Sequence, residues 1–402
     1  MESMVFTPWT FLFLIRTFFM ADSIYDVIVI GLGGMGSSAA MQLALSGLKV
    51  LGLEQFEPNH ELGSSHGKTR AIRLAYYENP NYVPLLKRAY HLWHDLEWRV
   101  GETLLEECGC LSVAYPNHEV IQGIIASSAL HSLDVEFLSH GQLAEKYQFL
   151  DLPESYVGVF EKLGGFLWVD RCVRAFQKIA RINKADLLFE TPVTSIRNVG
   201  NDLEVNTPKG KYLARKVVIT AGPWASNFIG TSGKCLSLMR QTTHWFMPEN
   251  PEDFFRDKVP VFMVADQEGF FYGFPMVDPD GVKVARHYGQ AEVHHPSEII
   301  REILPEDDAA LRVFLNRRIP SLAKSHSPLA KTCIYTLSPD RHFMVGALPE
   351  NPNILVGTGF SGHGFKFASV VGEILSQLVC DKPVNLNIEF LSLGRFLDDS
   401  SR

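Results

Sequence analysis

Gly31, Gly33 and Gly36 stand in the spacing G-x-G-x-x-G, behind an apolar run and ahead of a helical pattern. Each glycine has its own reason in a nucleotide-binding turn. Gly31 allows the tight turn off a strand, Gly33 lets a pyrophosphate approach bare backbone, and Gly36 lets the helix pack close to the sheet. The helix N-terminus offers unpaired N–H groups to the phosphates. Glu54 closes the next apolar run, where its carboxylate can accept hydrogen bonds from an adenosine ribose. A bound dinucleotide is expected. Two further loops are rich in glycine and carry cations. Residues 63–73 hold His66, Arg70 and Arg73, and residues 359–367 hold Gly362, His363 and Lys366. A guanidinium fork and an ammonium from separate loops can neutralise one anion in a closed pocket. Lys283 and His287 alternate onto one face of an extended run. Met263, Tyr272, Cys333 and Tyr335 lie in other apolar runs. Taken alone, Met263 and Tyr272 read nearly as well as core packing, Cys333 as a buried strand cysteine, and His66 and Arg70 as a polar loop.

These residues need a scaffold. Residues 25–31 read as a strand, followed by a helix to residue 46 and a second strand at 49–53. Apolar residues recur at helical spacing from 82 to 105, and helices are expected at 118–129 and 139–146. Asp170 is expected to cap a helix over 171–182. Short strands are expected at 186–189, 193–198, 203–206 and 211–213, then a buried strand from 216 running into a small-residue turn at 221–224. Further strands fall at 243–247, 259–264, 269–275 and 282–286. Helical pieces follow at 296–304 and 307–316, and strands at 330–336, 342–345 and 354–357. The 359–367 loop opens a last helix through 379. The pattern predicts an α/β chain of two domains. A discontinuous dinucleotide domain takes residues 21–95, 150–235 and 325–395. A mainly antiparallel substrate domain takes 96–149 and 236–324. Ligand pockets favour such junctions.

The 402 residues suffice for two domains, and the net charge of −8 disfavours a nucleic-acid partner. Six cysteines lack C-x-x-C or zinc-type spacing, so neither a disulfide framework nor a metal site is expected, and a reducing compartment is the default. Cys108 and Cys110 would share one face of a strand. Residues 1–20 are apolar but interrupted by Arg16, and they lack the basic start and cleavage site of a leader. They read as an extension that adds nothing to the fold.

Three stretches together carry a family likeness. The runs 63–73, 333–343 and 359–367, with the glycine turn and the small-residue turn at 221–224, resemble the monomeric sarcosine oxidase and N-methyltryptophan oxidase family of flavoenzymes. The likeness covers about residues 24–395. It implies a glutathione-reductase type FAD-binding domain beside an antiparallel substrate domain. It also implies FAD attached through a thioether at Cys333. His66 and Arg70 match positions beside the flavin, where cations would stabilise charge developing on reduction. Arg73 and Lys366 match the pair that binds the substrate carboxylate. Lys283 matches a lysine near the flavin that activates oxygen. His287, Tyr335, Met263 and Tyr272 match residues lining the substrate site, and Gly362 presents backbone to the substrate amine. The chain departs from bacterial members at Ser65, Lys68 and Leu74, which bears on substrate size rather than on flavin chemistry.

The implied activity is FAD-dependent oxidation of N-methyl amino acids by dioxygen, giving the primary amino acid, formaldehyde and hydrogen peroxide. Sarcosine is the first expectation. N-methyltryptophan and a cyclic imino acid such as pipecolate are the alternatives, and a flavin dehydrogenase using another acceptor is the non-oxidase alternative. A non-catalytic flavin-binding protein would explain the glycine turn but not the later cluster of Cys333, Lys283, Arg73 and Lys366. The expected protein is a cytoplasmic monomer with a small-molecule substrate and no membrane or nucleic-acid partner.

Overall fold

Val27, Ile28 and Val29 have no solvent exposure, so the Tyr25–Ile30 strand is covered on both faces. Such burial stabilises by about 1.5–3 kcal/mol per large aliphatic side chain. It also marks a central parallel strand, and the neighbours agree: Val50–Leu53 and Gly210–Ile219 pair with it in parallel. The computed structural model describes residues 24–289 and 292–396; the expected extension at 1–20 lies outside them. The first sheet has eight strands, with Asp186–Leu188 at one edge and an antiparallel meander, 195–219, on the other side of the centre. Asn351–Thr358 also runs parallel to Gly210–Ile219, and Met344–Leu348 lies antiparallel beside it. The Gly34–Leu45 helix packs against the Val169–Ile182 and Ala368–Val379 helices. The last contact is tight: a Cβ on Gly372 would lie 2.2 Å from Ser38 Oγ.

A second sheet of nine strands, mostly antiparallel, holds Cys110–Ala114, Ser237–Phe246, Val261–Asp266, Gly269–Phe274 and Val282–His287 among others. Thr69–Ile72 forms a small third sheet with Gly165–Trp168 and Leu105–Glu106. That strand lies inside a stretch read from sequence as a loop.

Several expected elements differ, each for a visible reason. The two strands expected at 211–213 and 216 onward are one, because Ala214 is paired on both sides, with Leu203 and Tyr25. The helix of 169–182 begins at Val169 after Trp168, so Asp170 lies in the first turn and does not cap it. The expected helix at 296–304 is only the short turn Pro296–Glu298. The carbonyls of Ile300 and Glu302 accept from the Arg240 guanidinium, and that of Arg301 accepts from Thr332 Oγ1, which diverts them from helical bonding. Gly109 has φ +83° and the strand starts at Cys110, so Cys108 lies outside it. Two strands inside segments assigned to the dinucleotide domain pair in the second sheet. Val157–Glu161 pairs with Cys110–Ala114, and Leu329–Leu337 pairs along its whole length with Ser237–Phe246. The second pairing puts Cys333 and Tyr335 in the second sheet.

Candidate active site

Gly31 turns the chain at φ +88°, and a Cβ there would lie 2.7 Å from the Thr220 carbonyl oxygen. A Cβ on Gly36 would lie 1.8 Å from the Gly31 oxygen. The turn and the helix start are thus locked together by two missing side chains. Gly33 is different: Ser65 alone stands near it, and its open side faces a cavity that Gly34 and Met35 also line. The Gly34 N–H donates to Ser65 Oγ at 3.0 Å. Glu54 closes the same end of the cavity. One carboxylate oxygen accepts from the Leu32 N–H at 2.8 Å, and the other from the Phe56 N–H at 3.2 Å. A carboxylate offers about four acceptor positions, so capacity remains for ribose hydroxyls. Burial raises the Glu54 pKa, but His60 and the two amides outweigh it and hold the carboxyl below its ordinary range.

The same cavity is also lined by Arg70, Cys333 and residues of the second sheet. Buried Cys333 has Arg70 Nη2 3.6 Å from its sulfur. Arg70 also donates to the carbonyls of Thr69 and Ser64 at 2.9 and 3.1 Å. Arg73, Met263, Tyr272, His287, Tyr335, Gly362 and Lys366 complete the expected residues in the wall. His287 Nδ1 and Tyr335 OH are 3.1 Å apart. Gly362 has φ +81°, and a Cβ there would lie 2.4 Å from the Tyr335 ring, so only glycine fits. Arg73 stacks on the rings of Tyr76 and Tyr77, 4.4 and 5.0 Å from their centroids. Its Nη2 lies 3.0 Å from both oxygens of Glu78. Burial lowers the Arg73 pKa, but Glu78 and the tyrosines outweigh it, so the guanidinium stays charged. Lys366 Nζ donates to the His363 carbonyl at 2.8 Å. Burial first, then Arg73, depresses its pKa to about 7.

Gly36, His66 and Lys283 stand behind the wall rather than in it. Lys283 Nζ donates to the carbonyls of Gly67 and Thr69, both at 2.8 Å, and lies over the Phe274 ring. Burial, then Arg70, holds its pKa well below the ordinary lysine value. The surroundings of His66 oppose a positive charge. Burial, then Arg70, Lys331 and Lys283, push its pKa to about 3, so the ring is neutral. His287 is also pushed to about 3, by burial and then by His363 and Lys366.

Sequence reasoning missed several wall residues. Glu78 had no signal, because the segment between Arg73 and the Tyr82–Val100 helix has no periodicity. Gln241, Thr336 and Thr358 could have been found as polar residues inside apolar strands. Their side-chain atoms Nε2, Oγ1 and Oγ1, and Arg73 Nη1, are buried without a partner among the described residues, and all four residues line the cavity. Buried polar atoms of this kind call for a polar ligand in the cavity. A dinucleotide is a ligand of that kind, and the glycine turn and Glu54 offer donors to phosphates and acceptors to a ribose.

Comparison with known proteins agrees with this geometry. The model of the family described as FAD dependent oxidoreductase matches residues 26–378. The monomeric sarcosine oxidase of Bacillus sp. (strain NS-129) is 35% identical over 377 residues, covering 92% of this chain and 97% of that one. The N-methyl-L-tryptophan oxidase of Yersinia pestis (strain Pestoides F) is 34% identical over 376 residues, covering 92% of this chain and 99% of that one. Among solved structures, the L-proline dehydrogenase from P. horikoshii superposes with a TM-score of 0.81 at 22% identity, covering 93% of this chain and 98% of that one, which speaks to the fold.

Proposed function

The chain belongs to the FAD dependent oxidoreductase family, in the branch of the monomeric sarcosine and N-methyl-L-tryptophan oxidases, and we propose that it oxidises N-methyl amino acids with dioxygen. The overall reaction converts the N-methyl amino acid, O2 and water to the primary amino acid, formaldehyde and hydrogen peroxide. FAD, when bound, accepts two electrons and a proton equivalent from the amine and passes them to oxygen. The chain's own residues bind and orient. Gly31, Gly33, Gly36 and Glu54 hold the ADP half, and Cys333 is the attachment point for a thioether to the flavin. Arg73 and Lys366 receive the substrate carboxylate, and Gly362 presents backbone toward the amine. Met263, Tyr272, His287 and Tyr335 shape the chamber. Arg70 and Lys283 supply positive potential at the flavin end, Lys283 serving the reaction with oxygen. His66 acts there as a neutral group.

One observation carries the reading. A single cavity is lined by the glycine turn, by Cys333, and by Arg73 and Lys366, whose cations both lie over the Tyr76 ring. With its pKa pushed down to about 3, His287 is a weak base, and a substrate amine that enters already deprotonated requires no base of the protein. We take the protein to act as a monomer, as the names of the sarcosine oxidase relatives say of them. Six free thiols fit the cytoplasm as its compartment. Among the described residues no helix is long and apolar enough to cross a membrane.

The test is a peroxide assay of the holoenzyme against sarcosine, N-methyltryptophan and pipecolate. Peroxide with at least one secondary amino acid is expected. Reduction of the bound flavin without peroxide would favour a dehydrogenase using another acceptor. No flavin reduction by any of them would refute the proposal.

A further inference from the structure

Glu161 ends the Val157–Glu161 strand of the second sheet and is 5% exposed. It does not line the cavity. Its two carboxylate oxygens accept from consecutive backbone amides, Leu74 N–H at 2.7 Å and Ala75 N–H at 2.8 Å. Those amides directly follow Arg73. The Thr69–Ile72 strand stops just before them, so sheet pairing no longer serves this backbone. We propose that Glu161 is a positioning residue for the substrate-carboxylate site, acting through Arg73.

The segment from Arg73 to Glu78 is held at several points, among them the Tyr76 carbonyl, which accepts from Ser127 Oγ. Glu161 fixes its start. Further along, Tyr76 OH meets His363 Nδ1 at 2.6 Å, and the His363 carbonyl accepts from Lys366 Nζ. The Arg73 guanidinium rests on the Tyr76 ring, so its place relative to Lys366 depends on the backbone that these contacts hold. The residue type also matters. Two amide protons need two acceptor oxygens, which a carboxylate supplies. A carboxamide would turn its own N–H2 toward one of the amides. Burial raises the Glu161 pKa, while the two amides and then Arg73 oppose it. No ion pair joins Glu161 to Arg73, so its charge steadies the guanidinium without occupying the fork.

The inference rests on the proposed role of Arg73 and is tested with the flavin-loaded protein. The probe is methoxyacetate, a carboxylate with no amine, titrated by the change in flavin absorbance. Glu161→Gln should weaken its Kd about tenfold, equivalent to about 1.4 kcal/mol, with flavin content unchanged. In an Arg73→Ala background the same substitution should have no further effect. A Kd within twofold of wild type would overturn the inference. An equal loss with and without Arg73 would also overturn it, since Glu161 would then be structural only. Should Glu161→Gln lose flavin, Glu161→Asp enters the same cycle; it keeps the charge but cannot reach both amides. Failure of the wild-type holoenzyme to bind methoxyacetate would remove Arg73 as the carboxylate site and this inference with it. That result is separable from a Glu161 failure because it needs no variant.

Discussion

Carboxylate binding should weaken as pH rises through neutrality, because of Lys366. Its ammonium is buried and faces Arg73 and Arg70, which oppose its charge, and Glu78 and Cys110, which favour it; the net pKa is about 7. A lysine depressed in this way is charged below its pKa and neutral above it. In the free site at pH 9, about one lysine in a hundred remains protonated. A bound carboxylate restores the charge, so the binding energy must include that protonation. The Kd should be flat below about pH 6, double near pH 7, and rise about tenfold per unit above it, reaching about 100-fold at pH 9. That is about 2.7 kcal/mol. The assay is titration with methoxyacetate, whose lack of an amine removes the substrate's own titration. His287, at about 3, and His363, held well below the usual histidine value, stay neutral throughout the window. Lys366→Met should bind weakly with no such rise, since Arg73 remains charged. A flat Kd from pH 6 to 9 in the wild type, or the same rise in Lys366→Met, would refute the assignment.

Other perturbations test the remaining parts of the site. Acid precipitation should leave the flavin with the wild-type pellet and release it from Cys333→Ser; free flavin from loaded wild type would disprove the linkage. Lys283→Met should slow reoxidation of the flavin by oxygen at least about tenfold more than its reduction by substrate, and equal slowing would remove the oxygen role. Glu78→Gln should tighten methoxyacetate binding about three- to tenfold, because Arg73 Nη2 would lose an anionic competitor 3.0 Å away; weaker binding would show that Glu78 orients Arg73 instead. Gly36→Ala places a Cβ 1.8 Å from the Gly31 oxygen and should cost about 2–4 kcal/mol or abolish flavin binding; unchanged melting temperature and flavin content would contradict the packing argument.

The dinucleotide end of this molecule is legible in sequence because its determinants are local. The glycine spacing, the strand before it and Glu54 after it all lie in one strand–helix–strand unit, and residues 25–53 fold as that pattern dictates. The chamber end is less legible because its determinants are distant. Cys333 and Tyr335 reach the cavity by pairing with Ser237–Phe246, a register that no local pattern announces. Family likeness singled out both residues, but nothing local announces that their strand joins the second sheet. The charge state of His66 was illegible for a different reason. A histidine in a polar loop reads as a cation, but its pKa is set by burial beside Arg70, Lys331 and Lys283, from three separate stretches.

The partners of the buried cations show how the site keeps its charge available. Lys283 donates to the carbonyls of Gly67 and Thr69, Arg70 to those of Thr69 and Ser64, and Lys366 to that of His363. A carbonyl dipole satisfies the donors without cancelling the charge, whereas a carboxylate would do both. The consequence is an uncompensated positive potential in a region shielded from water, where Coulomb interactions are strong. The cost appears in the depressed pKa values of Lys283 and Lys366, which are lowered first by burial and then by nearby arginines. Arg73 differs, being paired with Glu78. A guanidinium cannot shed its proton as a lysine can, so burial without an anion would leave it no neutral form. Glu78 balances it until a substrate carboxylate competes for the same fork. Arg73 and Lys366 therefore meet one anion by different routes, the first by exchanging a partner and the second by gaining a proton. Both exchanges oppose binding slightly, and both favour a ligand whose carboxylate reaches the two cations at once.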